Sequence, residues 1–317
     1  MGAKARVGLV HGADRRSGVY QALDLVRADV EAKLHRQALI KPNLLSSTNQ
    51  LASTHADAIR GVLDFLMSAA HPPDEVIIAE GANEKYSGEA FTNFAYAPIL
   101  SEYDIPIRLV DLHQETEWVE TTAVLTDGGE IDVRMSKLVL DCPCTISLAI
   151  AKTHDTCVVT LALKNMIMGV LHKADRVYMH GVRSHAERRM PADSQAVNIN
   201  LIRLARYLAP DIAVIDGTRG LQGNGPGGDN AVDFRTVAAS TDVIAADAVM
   251  TKAMGFEPLA LAIPTYAQAA GLGIADLDQI DVIGAHLAEV ITPFLPHEKT
   301  AQQMEWAAPQ FARYLPA

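Results

Sequence analysis

The sequence predicts an α/β protein in which a mainly parallel or mixed sheet is covered by helices on both faces. Short runs rich in Val, Ile and Leu recur along the 317 residues, and several are followed by longer segments with helical spacing of apolar residues. The runs are nearly continuous in apolar residues, which is typical of strands buried on both faces. With 49% hydrophobic residues, the chain can fill the sizeable core that this architecture needs.

Eight apolar runs have strand character. They lie at 5–12, 37–43, 74–81, 105–112, 136–143, 147–154, 211–217 and 278–284. Helices are predicted at 17–34, 54–70, 198–208 and 240–255. The helix at 54–70 begins at a Ser/Thr capping candidate, and the helix at 240–255 ends at Gly255, a residue type common just past helix ends.

Residues 117–134 alternate polar and apolar side chains around Asp127, Gly128 and Gly129. This pattern predicts a β-hairpin, which forms either a small lobe or an edge decoration. The sequence contains no internal repeat and no convincing linker. We therefore expect residues 1–317 to form a single α/β domain, with two lobes and a hairpin insertion near 117–134 as the alternative.

Charge and composition exclude several classes of protein. The formal net charge of −11 argues against a nucleic-acid binder, which needs a basic face to displace phosphate counterions. The longest apolar stretches are interrupted before the roughly 18 residues of a membrane helix, and the N-terminus has no signal-peptide pattern. Three cysteines are too few for a disulfide scaffold. These features predict a cytoplasmic protein without nucleic-acid or membrane partners.

Three lysines follow apolar runs, and lysine is rarely buried without a partner. Lys41 and Lys152 end predicted strands, and Lys164 follows a second apolar run. In open α/β sheets the ligand crevice lies beyond the carboxyl ends of the strands. Each lysine alone is equally well explained by snorkelling to solvent or by pairing with Asp155, Glu80 or Asp216. Their recurrence at strand ends favours a site for a carboxylate or a phosphate.

Histidines in two segments are candidates for acid–base chemistry. His154 lies two residues after Lys152, so on an extended strand both side chains face the same way. Histidine titrates near neutrality and therefore serves as a general acid or base. His55 lies beside Ser53 and Thr54, where a helix start offers free backbone amides to an anion; the simpler explanation is that Ser53 or Thr54 caps the helix.

The segment 172–190 is rich in His and Arg and is predicted to be an exposed segment or a lid that closes over an anion. Its histidines, including His180, do not match a zinc motif and are weak metal candidates. A divalent metal held by Asp216, Glu80 or a loop histidine is an alternative to one of the lysine cations. Cys142 and Cys144 are better explained as structural thiols than as cluster ligands.

The glycine-rich stretch 223–228 formally satisfies G-x-G-x-x-G, but Pro226 interrupts it and strand character follows. A dinucleotide-binding fingerprint opens a helix, so NAD binding is rejected. Gly223 and its neighbours can still let the backbone approach a ligand, with Asp216 facing the same crevice. A simple tight loop is a comparable explanation.

The combined motifs resemble one protein family. Lys-Pro-Asn at Lys41, Lys-Thr-His at Lys152, Leu-Lys-Asn before Met168-Gly169, and Gly-Asn-Gly-Pro at Gly223 are similar to those of the domain-of-unknown-function family 362. The resemblance spans residues 40–284. It implies functional roles for one set of residues, namely Lys41, Asn43, Lys152, His154, Lys164, Asn165, Asp216, Gly223 and Asn224.

Many members of that family carry a ferredoxin-type iron–sulfur module, whose cysteine series this sequence lacks. No iron–sulfur cluster is therefore expected within the chain. A redox protein that uses Cys142 and Cys144, or that docks an external ferredoxin, is one alternative function. A non-catalytic anion-binding module is another. A homo-oligomer, with a second copy of the chain as the partner, is a further expectation.

The function that we expect is that of an enzyme acting on a small anionic metabolite. Lys41, Lys152 and Lys164 bind the anion with Asn165 and Asn224 as neutral partners, and His154 is the acid or base. Lysines around a carboxylate stabilise the charge that develops when a neighbouring proton is removed, so isomerase or lyase chemistry is favoured.

Overall fold

A computed structural model describes residues 4–83 and 87–315 of the chain. The strands are β1 Ala5–His11, β2 Gln37–Lys41, β3 Glu75–Glu80, β4 Ile107–Asp111, β5 Trp118–Val124, β6 Glu130–Ser136, β7 Thr145–His154, β8 Val158–Thr160, β9 Ile212–Leu221, β10 Ala231–Val232, β11 Thr236–Ser240 and β12 Ile280–Gly284. The helices are α1 Arg15–Leu25, α2 Arg27–Glu31, α3 Ala56–Ser68, α4 Ser87–Asn93, α5 Lys137–Asp141, α6 Ala162–Val170, α7 Ala192–Leu208, α8 Val243–Ala253, α9 Ala262–Ala269 and α10 Thr300–Gln303. Short 3₁₀-helices connect several of them, and the longest is Lys173–His180.

The main sheet is mixed and mostly parallel, which confirms the predicted fold class. Its strand order is β12-β1-β11-β9-β7-β2-β3-β4, with β8 paired to β7 and β10 paired to β9. The neighbours from β9 through β7, β2 and β3 to β4 are all parallel. β11 runs antiparallel to both β1 and β9. The carboxyl ends of β2, β3 and β7 therefore meet at one edge of the sheet.

Helices cover both faces because alternate strand residues face opposite cores. On β2, Leu39 packs into one hydrophobic cluster with α6, α7 and α8. Its neighbours Ala38 and Ile40 pack into the other cluster with α1 and α3. None of the helices in the described part of the chain combines the length and apolarity needed to cross a membrane.

The hairpin predicted near 117–134 is confirmed as β5 and β6, which form a separate two-stranded sheet. The strand predicted at 136–143 is wrong, because residues 137–141 form the short helix α5. Of its three consecutive apolar residues only Val139 is fully buried, whereas Leu138 and Leu140 are partly buried against the core. An apolar run this short does not distinguish a strand from a helical turn by periodicity.

Candidate anion-binding site

A cavity of about 400 Å³ lies at the carboxyl ends of β2, β3 and β7. Its walls come from these strands, from α6 and from the segment that follows α6. The polar and charged side chains that line it are Lys41, Asn43, Glu80, Asn83, Lys152, His154, Asp155, Thr160, Lys164, Asn165, Lys173, Arg176, His180, His185 and Arg188. The three lysines singled out in the sequence thus lie in one cavity, where basic side chains outnumber carboxylates.

Lys41 forms a buried ion pair with Glu80 of the neighbouring strand. The side chains are 1% and 3% exposed. The Lys41 ammonium also donates to Asn165 Oδ1 at 2.9 Å and to the carbonyl oxygen of Pro42 at 2.8 Å. Burial lowers the pKa of Lys41 although Glu80 opposes that effect. The charge of Lys41 is therefore already balanced within the protein.

Lys152 is buried, and within residues 4–83 and 87–315 it has no carboxylate partner. Its ammonium donates to Asn43 Oδ1 at 2.6 Å and to the carbonyl oxygen of Ala52 at 3.0 Å. Asn43 in turn donates to Asn165 Oδ1 at 3.0 Å, the same oxygen that Lys41 contacts. One chain of hydrogen bonds therefore fixes the positions of Lys152 and Lys41 relative to each other.

Lys164 lies in the first turn of α6 and is only 6% exposed. Among the described residues its ammonium has no hydrogen-bond or ion-pair partner. The first turn of α6 is held by Asp247 of α8, which accepts the N–H groups of Ala162 at 2.8 Å and Leu163 at 3.2 Å. Burial raises the pKa of Asp247 to about 7. Asp247 thus positions a largely buried lysine that no carboxylate among the described residues neutralises.

Gly169 is required for the close packing of α6 against the Lys41–Glu80 pair. A Cβ atom at this position would overlap the end of the Lys41 side chain and come within 2.5 Å of Glu80 Oε1. Arg176 completes this wall by donating to the carbonyl oxygens of Gly81 at 2.6 Å and of Gly169 at 3.2 Å. Burial lowers the pKa of Arg176 to about 10. Its guanidinium therefore holds the Gly81 and Gly169 backbone segments together.

Two of the three histidines that line the cavity, His154 and His180, are buried beside a network of charged side chains. His180 Nδ1 lies 2.5 Å from Asp193, which also accepts from Arg188 at 2.7 Å. Arg188 reaches across to Asp155 at 3.0 Å, beside His154. The segment 172–190 was expected to be an exposed segment or a lid, and residues 183–187 are indeed exposed. His180 is instead buried, because its partner Asp193 lies inside the protein.

His55 and Asp216 do not line this cavity. Strand β9 continues to Leu221, so Asp216 lies within the sheet and not at the end of the strand. Its carboxylate pairs there with Arg15 at 2.7 Å. His55 is the N-cap of α3, and its Nδ1 accepts the N–H of Asp57 at 3.0 Å. Both residues line a second cavity of about 450 Å³. The expectation that His55 and Asp216 lie beside the three lysines is therefore wrong.

The glycine-rich loop reaches the cavity only through Pro226. Asn224 is exposed and exchanges hydrogen bonds with Glu298, at 3.2 Å and 3.0 Å. Gly223 adopts φ +72°, and its carbonyl oxygen accepts from Thr153 at 2.8 Å. The loop therefore packs against β7, and the expected ligand contacts of Gly223 and Asn224 are replaced by contacts within the protein.

The residues weighed as metal ligands are engaged in ion pairs. Glu80 pairs with Lys41, Asp216 with Arg15 and His180 with Asp193. Within residues 4–83 and 87–315, no group of three or more His, Cys, Asp or Glu side chains has an arrangement that would hold a metal ion.

The thiols of Cys142 and Cys144 are remote from the three lysines. Cys142 and Cys144 precede β7, at the opposite end of the strand from His154. Burial raises the pKa of Cys144 to about 12. A buried thiol of this kind is a structural group and not a reactive one.

Sequence reasoning missed Asp193, Asp247 and Gly169. Asp247 is flanked by apolar residues in the middle of a predicted helix, and a carboxylate in that setting is a signal of a buried polar contact. Asp193 lies just beyond the charged segment and gives no comparable signal. Gly169 belongs to a quoted motif, but its packing role requires the position of Lys41.

Comparisons with known proteins place the chain among its relatives. Thylakoid-associated protein sll1697 of Synechocystis sp. is 26% identical over 245 residues, which cover 75% of this chain and 68% of that protein. The lactate racemase apoprotein of Thermoanaerobacterium thermosaccharolyticum superposes with a TM-score of 0.47 at 13% identity. That superposition covers 77% of this chain and spans only 55% of the racemase chain. The profile of the domain of unknown function DUF362 matches residues 38–252. Since the match covers more than half of the chain, the protein belongs to the DUF362 family.

Proposed function

We propose that this protein is an enzyme that binds a small carboxylate or phosphate in the lysine-lined cavity and removes a proton next to a carboxylate. The observation that carries the proposal is Lys164, whose largely buried side chain presents its ammonium to the cavity without a hydrogen-bond or ion-pair partner among the described residues. Burying a charge without compensation is unfavourable, so an anionic ligand is the expected counterion.

The neighbouring groups support a carboxylate ligand. Lys152 adds a second ammonium whose partners are neutral oxygens. The two cations are suited to stabilise the negative charge that spreads onto a carboxylate when an adjacent C–H bond loses its proton. The histidines of the same cavity supply groups that take up or donate a proton. Isomerisation or elimination follows from the same first step.

Proton exchange with solvent tests the chemical step. The protein is incubated in D₂O with short-chain carboxylic acids that bear a C–H bond beside the carboxylate, and ¹H NMR follows that signal. We expect the signal to decay for at least one class of acid and to persist with Lys164→Met. If acids bind but none exchanges, the protein is a non-catalytic anion-binding module; if no anion binds, the site assignment itself is wrong.

The pH dependence of binding provides a second prediction. Burial, with the neighbouring Lys164 and Lys41, lowers the pKa of Lys152 to about 7. Because an anion favours the protonated amine, affinity should fall as pH rises above 7, by up to roughly tenfold per pH unit. Calorimetry with oxalate, which stays fully ionised over this range, measures the change, and buffers of different ionisation enthalpy should reveal proton uptake at pH 8.

The control for this prediction is Lys152→Met, which removes the titrating amine. Its oxalate affinity should be weaker at pH 6 and nearly constant between pH 7 and 9. An equally steep decline in this variant would assign the pH dependence to another group.

A further inference from the structure

The two buried histidines of the cavity have different partners at Nδ1. His180 Nδ1 lies 2.5 Å from Oδ1 of Asp193, and the two side chains are 9% and 4% exposed. The second oxygen of Asp193 accepts from Arg188 Nε at 2.7 Å. An ionised carboxylate only accepts hydrogen bonds, so a neutral His180 carries its proton on Nδ1. Its Nε2 then has a lone pair.

His154 has the opposite arrangement. Its Nδ1 accepts the backbone N–H of Thr156 at 3.1 Å, and the hydroxyl of Thr156 lies 3.0 Å from the same nitrogen. A backbone N–H only donates, so a neutral His154 carries its proton on Nε2. Asp155 Oδ1 also lies 3.0 Å from Nδ1, but it forms no hydrogen bond with the ring and its carboxylate accepts from Arg188.

Burial favours the neutral form of both rings. Burial lowers the pKa of His154 well below its usual value, and the nearby Lys164 and His180 act in the same direction. Burial also lowers the pKa of His180, although Asp193 opposes the shift. A single cavity therefore contains one imidazole that is a proton acceptor at Nε2 and one that is a donor at Nε2.

We propose that His180 is the general base of the reaction and that His154 is a neutral hydrogen-bond donor to the substrate. This assignment deepens the proposed function and rests on it. The C–H bond beside the carboxylate breaks, its proton moves to His180 Nε2, and its electron pair delocalises onto the carboxylate as an enediolate. The imidazolium of His180 is stabilised by Asp193, as in other base–carboxylate pairs.

The role of His154 follows from its tautomer. Its Nε2–H donates a hydrogen bond to the oxygen on which charge develops, beside the ammonium groups of Lys152 and Lys164. A full proton transfer from a neutral imidazole would leave an anionic ring, so the proton returns to the product from His180. Return to the same carbon after exchange with solvent gives isotope exchange, and in an acid with a β,γ double bond return to the γ carbon gives isomerisation.

Tautomer measurement on the ligand-free, full-length protein tests the assignment. Long-range ¹H–¹⁵N correlation of histidine-labelled protein distinguishes Nδ1–H from Nε2–H rings, and His180→Gln and His154→Gln identify the two signals by their loss. We expect Nδ1–H for His180 and Nε2–H for His154. An Nε2–H ring at His180, or an Nδ1–H ring at His154, overturns the proposal.

Two variants of buried carboxylates distinguish a specific effect of Asp193 on the His180 tautomer from a general loss of stability. Asp193→Asn should move His180 toward the other tautomer and leave His154 unchanged, whereas Asp175→Asn, at another buried carboxylate, should leave both rings unchanged. If Asp193→Asn folds and leaves the His180 signal unchanged, Asp193 does not set the tautomer and the assignment of His180 as the base is overturned; if the variant does not fold, the wild-type tautomers decide. The spectra need no ligand, so their outcome is independent of whether oxalate binds.

Discussion

Replacing Lys164 with methionine is expected to weaken oxalate binding by about 10- to 100-fold without lowering the stability of the protein. A hydrogen bond to a charged group contributes about 1.5–3 kcal/mol, which corresponds to this loss in affinity. Methionine has a similar length and is apolar, so it removes a buried charge for which the described structure offers no counterion. The free energy of unfolding should therefore stay constant or rise by about 1 kcal/mol.

Calorimetry and urea denaturation measure the two effects separately. The matched control is Lys33→Met, because Lys33 is an exposed lysine that does not line the cavity. This control should change neither oxalate affinity nor the denaturation midpoint. An unchanged affinity in Lys164→Met would show that Lys164 is not the anion-binding group, whatever its effect on stability.

The convergence of Lys41 and Lys152 was predictable from the sequence because both residues lie at or near the carboxyl ends of parallel strands. Parallel strands present their carboxyl ends at one edge, so residues that are far apart in sequence meet there. The position of Lys164 followed less directly, since the apolar run before it is β8 and the turn into α6 rather than a long strand. The apolar runs before them identified all three lysines in the sequence, and the order of the strands in the sheet places them in one cavity.

Asp216 shows why strand ends predicted from sequence are uncertain. The apolar run before Asp216 predicted that the strand ends near Gly217. Strand β9 instead continues to Leu221, because Leu221 pairs with Lys152 of β7. The extra residues keep Asp216 inside the sheet, where Arg15 provides its partner. Pairing between strands, and not local composition, decides where such a strand ends.

The partners of the histidines were not predictable for a related reason. His180 and Asp193 are thirteen residues apart, and the contact depends on how the charged segment folds back onto α7. His154 was identified as an acid–base candidate from its spacing to Lys152, yet its tautomer is set by the turn that places the N–H of Thr156. The sequence therefore identified His154 as a candidate, whereas the tautomers on which the proposed roles rest depend on backbone geometry.

Breaking the buried pair of Lys41 and Glu80 should have the largest effect on stability. Lys41→Met removes the cation that pairs with the buried Glu80 carboxylate, and it removes the hydrogen bond to Asn165. Losing one partner of a buried ion pair costs about 3–5 kcal/mol in unfolding free energy. Glu80→Gln should cost less, because the neutral amide can still accept from the lysine and needs no counterion.

Coupling between the two side chains distinguishes a true ion pair from two independent contacts. In the double variant Lys41→Met/Glu80→Gln the uncompensated carboxylate is absent, so the loss should be smaller than the sum of the single losses by about 1–3 kcal/mol. Urea denaturation of the four proteins measures this coupling energy. Additive losses would mean that Lys41 is held by Asn165 and Pro42 alone, and its charge would then be available to a ligand. A strong coupling would instead leave anion binding to Lys152 and Lys164, because the charge of Lys41 is committed to Glu80.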